Sequence, residues 1–328
     1  MASETRTPEN QPEELLRAEK LTKKFPTGKK QFVHALSDAD LTLYAGETLA
    51  LVGESGCGKS TLGRALIRLI PATSGKVYFR GQELTSMSEK EFRPLRRKMQ
   101  MVFQDPYASL DPRMTVRDLI AEPRETWRVC DNKKQTTEKV LELMERVGLP
   151  GEFLMRYPHQ FSGGQRQRIG IARAIALDPE ILICDEPVSA LDVSVEGQVL
   201  NLLKKLKKEM NLTSLFIGHD LSVIHFIADR VCVMFLGNLC EIAPKDELYS
   251  HPLHPYTKFL LDAIPQADPH LRDRERSLIT GEVPSPVHPP SGCCFHTRCP
   301  YADERCRTEK PQMEDRGGGH FTACFRKL

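Results

Sequence analysis

The run Gly53-Glu54-Ser55-Gly56-Cys57-Gly58-Lys59-Ser60 constrains this chain more than any other segment, because it fits G-x-x-x-x-G-K-[ST] between an apolar strand and a helix. Leu49, Ala50, Leu51 and Val52, within Glu47 to Val52, read as the buried strand that feeds it. The glycines let backbone N–H groups curl around phosphate oxygens, and the helix N-terminus adds the positive end of its dipole. The pattern predicts a phosphate loop from Gly53 to Thr61 in which Lys59 reaches the β- and γ-phosphates of a nucleotide and Ser60 ligates Mg²⁺. A chance glycine-rich turn is the bland alternative, and the flanking strand and helix weigh against it.

Elsewhere the periodicity is that of an α/β chain. Phe32 to Leu43 mixes apolar and polar positions like strand segments, Ser86 to Lys98 is charged and helical, and Met99 to Phe103 is a short apolar strand ending at Gln104. From about Thr115 to Ile175 the pattern is helical, with Val140, Leu141, Met144 and Val147 at helix spacing. Ile181 to Cys184 and Ser214 to Ile217 return as strands around the amphipathic helix Val195 to Met210, a βαβ rhythm that implies a parallel sheet. The expected fold is an α/β P-loop NTPase core with a mixed or parallel sheet, an N-terminal antiparallel β region and a helical insertion at about 105–175. After about Ile264, Pro265, Pro269, Pro284, Pro286, Pro289 and Pro290 punctuate the chain. The expected domains are therefore 1–264 and a small irregular, cysteine-rich C-terminal extension, 265–328, while the first ten or so residues read as a disordered lead-in.

A second set of residues carries chemistry. Ile181-Leu182-Ile183-Cys184 delivers Asp185 and Glu186 to the carboxyl edge of the sheet, where ligands bind in open α/β folds. Asp185 is expected to hold Mg²⁺, mainly through water, and Glu186 to polarise the attacking water; alone, such an acid pair is as readily a helix cap. Gln104, at a strand end, is placed to contact Mg²⁺ and the water, and His219, after Ser214 to Ile217, to contact the γ-phosphate. In phosphoryl transfer, positioning and charge stabilisation do most of the catalysis.

Phe161-Ser162-Gly163-Gly164-Gln165-Arg166-Gln167-Arg168 resembles the signature motif of ATP-binding-cassette (ABC) ATPases, with Phe161 where Leu is more usual. The resemblance spans about Leu15 to Ile264 with the motifs in order. It implies ATP and Mg²⁺ as ligands, and that Ser162, Gly163, Gly164 and Gln165 act in trans on ATP held by an opposing subunit. One chain then does not complete its own site. It also implies that Phe25 stacks on adenine, Gln104 is the Q-loop residue, and Ser189-Ala190-Leu191-Asp192 is the D-loop at the dimer interface. Glu186 resembles the general base and His219 the switch histidine. For Phe25, a core residue is the plainer alternative.

Tyr157-Pro158-His159, His254-Pro255-Tyr256-Thr257 with Leu260-Leu261, and Gly281-Glu282-Val283-Pro284-Ser285-Pro286 are similar to the dipeptide and oligopeptide permease ATPases. Cys57 followed by Thr61-Leu62-Gly63-Arg64, and Asp105-Pro106-Tyr107-Ala108-Ser109-Leu110, resemble the second of their two ATPase subunits, the F component. Nickel and opine importers share the extension, which leaves the solute open. The implied partners are a second ABC ATPase subunit in a heterodimer, two transmembrane permease subunits and an extracytoplasmic solute-binding protein, at the cytoplasmic face of the inner membrane. The Gln104 region and the helical insertion are expected to receive the permease.

Of ten cysteines, five fall between Cys293 and Cys324, and such a local cluster in a cytoplasmic chain points to metal rather than to disulfides. For Cys293, Cys299, Cys306 and Cys324 the resemblance implies a [4Fe–4S] cluster, although four thiolates suit a tetrahedral Zn²⁺ equally well. Cys294 is an adjacent spare, and His296 and His320 are alternative ligands or solvated histidines. Reduced, unliganded cysteines are the plain alternative. A metal centre here would supply folding free energy to a Pro-rich segment poor in apolar residues.

Bulk composition adds exclusions. Lys plus Arg is 46 against 44 for Asp plus Glu, and a net charge of +2 gives no field for general nucleic-acid binding. No stretch approaches the roughly 20 apolar residues of a membrane span, and the N-terminus lacks a signal-peptide apolar region, so a cytoplasmic chain is expected. A soluble ABC protein of translation or DNA repair needs paired cassettes or a long coiled-coil insertion, neither of which is visible. A regulatory iron–sulfur module with vestigial catalysis is opposed by the intact Lys59, Asp185, Glu186 and His219.

Overall fold

A computed structural model describes residues 12–28, 31–264 and 281–326; the expected lead-in, Pro265 and Pro269 lie outside them. β1 (Glu14–Pro26) pairs antiparallel with β2 (Phe32–Tyr44) on one side and β4 (Ser74–Phe79) on the other, with β5 (Gln82–Glu83) at the edge. This is the antiparallel region expected near the N-terminus. The larger sheet runs β11 (Glu314–Asp315), β12 (Phe321–Thr322), β10 (Asn238–Pro244), β9 (Arg230–Phe235), β3 (Thr48–Val52), β8 (Thr213–Gly218), β7 (Ile181–Asp185) and β6 (Met99–Val102). From β9 to β6 every pairing is parallel, whereas β10 joins antiparallel. Every residue of β3, β7 and β8 is buried, as strands of a parallel sheet covered on both faces must be.

The helices follow from caps and spacing. α1 (Lys59–Leu66) leaves the phosphate loop and buries Leu62 and Leu66. The segment Ser86 to Lys98 is not the single helix its charge pattern suggested. Ser88 and Glu91 form a capping box on the four-residue α2 (Glu89–Phe92), after which Arg93–Lys98 tightens to a 3₁₀ turn. Pro94 is the physical reason, since it has no N–H to continue the α-helical ladder.

α3 (Pro106–Ser109), α4 (Val116–Thr126), α5 (Lys133–Arg146) and α6 (Gly163–Ile175) make up the helical insertion. Val140, Met144 and Val147 are fully buried, but Leu141 is 38% exposed, because a residue adjacent in sequence turns about 100° round the helix from the buried stripe. α7 (Val193–Met210) is the crossover between β7 and β8 and buries Val199, Leu200, Leu202, Leu203 and Leu206. α8 (Leu221–Ile227), α9 (Lys245–Ser250) and α10 (Pro255–Asp262) complete the segment up to residue 264.

The extension is more regular than its prolines suggested. Besides α11 (Glu304–Thr308), it sends β12 onto β10, pairing Thr322 with Glu241 and Phe321 with Ile242. Phe295 is fully buried, with ring centroids 5.2 Å from both Phe235 and Tyr256. That apolar anchor packs the segment against β9 and α10.

Candidate nucleotide site

Between β3 and α1 the loop is packed too tightly for side chains at two positions. A Cβ at Gly53 would lie 2.1 Å from the Met234 carbonyl oxygen, and one at Gly58 would lie 2.2 Å from that of Ala35. Gly58 also has φ of +108°, a conformation open mainly to glycine. Lys59 is 5% exposed, and its Nζ donates to the carbonyls of Gly53 at 2.7 Å and Glu54 at 3.0 Å. Its ammonium therefore lies across the mouth of the loop, held by acceptors that an anion can replace. Ser60 Oγ donates to Asp185 Oδ1 at 2.7 Å, and Arg64 Nη2 lies 3.3 Å from Asp185 Oδ2, on a carboxylate with no solvent exposure. Burial pushes the Cys57 thiol up, with Lys59 opposing.

One residue beyond Asp185, the backbone turns sharply. Glu186 has φ of +45° and donates its N–H to the Ile217 carbonyl at 3.0 Å, which locks the end of β7 to β8. Its Oε2 accepts from Gln104 Nε2 at 3.0 Å and lies 3.5 Å from His219 Nδ1. Three strand ends, those of β6, β7 and β8, thus bring Gln104, Glu186 and His219 around one carboxylate oxygen. Phe25 stands on β1 opposite Val33, is 36% exposed, and has the Lys23 ammonium 4.9 Å from its ring centroid. The core reading of Phe25 is thereby excluded.

Ser162 caps α6 and forms a capping box with Gln165. A Cβ at Gly164 would meet Val195 Cγ1 at 2.2 Å, so the start of α6 lies against the start of α7 just past Asp192. Ser162 and Asp192 are exposed, and Val193 is 85% exposed. Among the described residues the side chains of Ser162 and Gln165 bond only to each other's backbone. Among the described residues no hydrogen bond or ion pair joins this face to the phosphate loop of its own chain.

Sequence reasoning missed two contacts on the loop. The Glu54 N–H donates to the Tyr256 hydroxyl at 3.0 Å, and the Glu54 carboxylate accepts from Arg298 Nη1 at 2.9 and 3.1 Å. Partners more than 200 residues away leave no local signal.

Cys293, Cys299, Cys306 and Cys324 line one pocket, with His254, Phe295, His296 and Tyr301. Burial pushes Cys293 up to about 12 and raises the other three thiols as well. Two of the alternative ligands are corrected. Cys294 faces a different cavity with its Sγ 3.7 Å from the Phe235 carbonyl, and His320, 3% exposed, has Nε2 2.6 Å from Glu241 Oε1. A buried carboxylate has claimed that imidazole, which is neither solvated nor in the pocket. Among the described residues no three His, Cys, Asp or Glu side chains are gathered as a metal-holding group, so the expected [4Fe–4S] or zinc centre is not shown.

Comparison with known proteins agrees with this geometry. The family described as ABC transporter matches residues 36–189, and that described as Oligopeptide/dipeptide transporter, C-terminal region, matches residues 240–306. The chain belongs to the ABC transporter ATPases that carry this C-terminal region, and is an ATP-hydrolysing transport subunit. Among its relatives is the oligopeptide transport ATP-binding protein AppF of Bacillus subtilis, 53% identical over 294 residues that cover 89% of each chain. OppF of Haemophilus influenzae, with the same description, is 50% identical over 301 residues, 92% of this chain and 91% of that one. A solved structure described as the dimeric post-hydrolysis state of the ATP-binding cassette MJ0796 bound to ADP and Pi superposes with a TM-score of 0.65 at 30% identity. It covers 70% of this chain and 99% of that one. Among the described residues no helix is long and apolar enough to cross a membrane.

Proposed function

We propose that this chain is the ATP-binding subunit of an importer of dipeptides and oligopeptides, seated on the cytoplasmic face of the membrane beside a second ATPase subunit, two permease subunits and an extracytoplasmic binding protein. The observation that carries the reading is the gathering of Gln104 and His219 on one Glu186 oxygen, next to the Ser60–Asp185 pair. Relatives described as oligopeptide transport proteins favour peptides over nickel or opines.

In this reading the phosphates take Lys59 from its two carbonyls and sit among the loop amides. Ser60 Oγ and the Asp185 carboxylate are hard oxygen donors side by side, which suits Mg²⁺. When bound, Mg²⁺ neutralises charge on the phosphate oxygens. Glu186 acts as general base, and the Gln104 amide and the His219 ring hold its carboxylate in one orientation. Phe25 stacks on adenine. Ser162, Gly163, Gly164 and Gln165 close on ATP held by the neighbouring subunit, with Asp192 at the shared interface. Residues 1–264 form the nucleotide-binding domain, with its helical subdomain at about 105–175, and 265–328 the extension. The groove lined by Leu69, Gln100, Phe103, Glu122 and Arg173 receives the permease.

The Cys293, Cys299, Cys306 and Cys324 thiols line one pocket, which supports a [4Fe–4S] cluster or, equally, a zinc ion as the centre of the extension. Such a centre would tie the extension together and is given no step in catalysis. Anaerobic purification with iron and zinc analysis checks it, and a folded, active protein with neither metal removes it.

Reconstitution with co-purified membrane partners tests the function. Peptide-loaded binding protein should raise ATP turnover. Stimulation by nickel alone, with peptides inert, overturns the peptide reading.

A further inference from the structure

Glu54, the second residue of the phosphate loop, is held on every side. Its carbonyl accepts from the Cys57 N–H at 3.3 Å and from Lys59 Nζ at 3.0 Å, within the loop. Its N–H and its carboxylate, by contrast, go to residues outside the loop. Tyr256, fully buried in the first turn of α10, accepts the N–H at 3.0 Å. Arg298, with a side chain 8% exposed, pairs with the carboxylate at 2.9 Å. Arg298 sits in a turn closed by its own N–H on the Phe295 carbonyl at 3.0 Å, and Phe295 is the buried anchor of the extension.

From this arrangement we infer that Tyr256 and Arg298 are positioning residues for the nucleotide, through which the C-terminal extension sets the affinity of the phosphate loop. The inference rests on the reading that this loop binds the triphosphate. Two physical effects follow. Fixing the Glu54 N–H fixes the direction of the Gly53 carbonyl, which shares its peptide plane and accepts from Lys59 Nζ at 2.7 Å, and so keeps the loop curled before phosphate arrives, lowering the ordering cost of binding. Pairing the Glu54 carboxylate with a guanidinium cancels a negative charge beside a site built for a polyanion, at a position too enclosed for water to screen it fully. Remove Arg298 and the carboxylate is left to repel the phosphates.

Binding of MgATP to the full-length chain, measured by calorimetry, tests this. Lys59→Ala, which should abolish binding, checks the site reading separately. Arg298→Met should weaken binding at least about fivefold, within the usual range of coupling between sites, with Arg298→Lys in between. Tyr256→Phe should weaken it too while keeping the ring packed. The deciding variant is Glu54→Gln with Arg298→Met, which removes both charges and should return affinity to within about twofold of the parent, since a balanced pair is replaced by a neutral one. A merely structural role for Arg298 would leave the double variant as weak as Arg298→Met. That outcome, or an Arg298→Met chain that binds MgATP like the parent, overturns the inference.

Discussion

Glu186 is the residue on which the proposed chemistry turns. Its carboxylate is 16% exposed and held by Gln104 from one side and His219 from another, which keeps one oxygen aimed at the site. Glu186→Gln keeps the shape and removes the basic oxygen, so turnover in the assembled transporter should fall by roughly 10²- to 10⁴-fold while MgATP still binds. Turnover left intact would remove Glu186 from the role of base. A second residue prediction concerns Cys57, whose thiol burial raises above its ordinary value. A raised thiol stays protonated at neutral pH, and only the thiolate reacts, so alkylation of Cys57 in the folded chain should be slow at pH 7 and still be climbing above pH 9. Mass spectrometry of the labelled peptide reads this, and a rate already level by pH 8 contradicts it. Residue types at strand ends were legible here, because Asp185, Glu186, Gln104 and His219 each follow a short apolar run. Their mutual bonds were not, since no periodicity records which way a side chain turns.

Among the elements, the α6–α7 crossing carries the most consequence, since it fixes the exposed Ser162 against the turn ending at Asp192. Gly164 leaves room for Val195 and nothing more. Gly164→Ala should therefore cost about 1–3 kcal/mol by overpacking, lowering the melting temperature, and Val195→Ala in the same chain should restore most of the loss. No rescue would mean the strain lies elsewhere. Elements with a continuous apolar run, such as β3, β7 and β8, were readable from sequence because burial on both faces leaves a pattern that polar residues cannot imitate. The stretch Ser86 to Lys98 was not, because charge periodicity survives a change from α to 3₁₀ that a single proline imposes.

At the scale of the whole molecule, the extension is joined to the ATPase core at several separate points. β12 lies on β10, the Pro286 carbonyl accepts from the His34 N–H at 2.9 Å, and Lys310 pairs with Asp38 at 3.1 Å. Phe295 is the centre of this docking, and Phe295→Ala should cost about 3–5 kcal/mol, loosening the extension in hydrogen exchange as well as lowering the melting temperature. A melting curve unchanged by that substitution would show that the extension is only loosely attached. Composition announced a change of character after Ile264 but concealed this docking, because short edge strands and a lone buried aromatic are lost among prolines.

In the proposed importer, ATP bound by this chain is hydrolysed only when a second ATPase subunit presents its signature loop. The most direct measurement is the ATP turnover of this chain at fixed concentration while the second subunit is titrated in. Turnover should be near zero for the chain alone, rise with the partner to a plateau, and be lost when the signature-loop serine of the second subunit is replaced by Arg although this chain still binds MgATP. A chain that hydrolyses ATP at the plateau rate with no partner, and is indifferent to that substitution in the second subunit, completes its own site and removes the shared one.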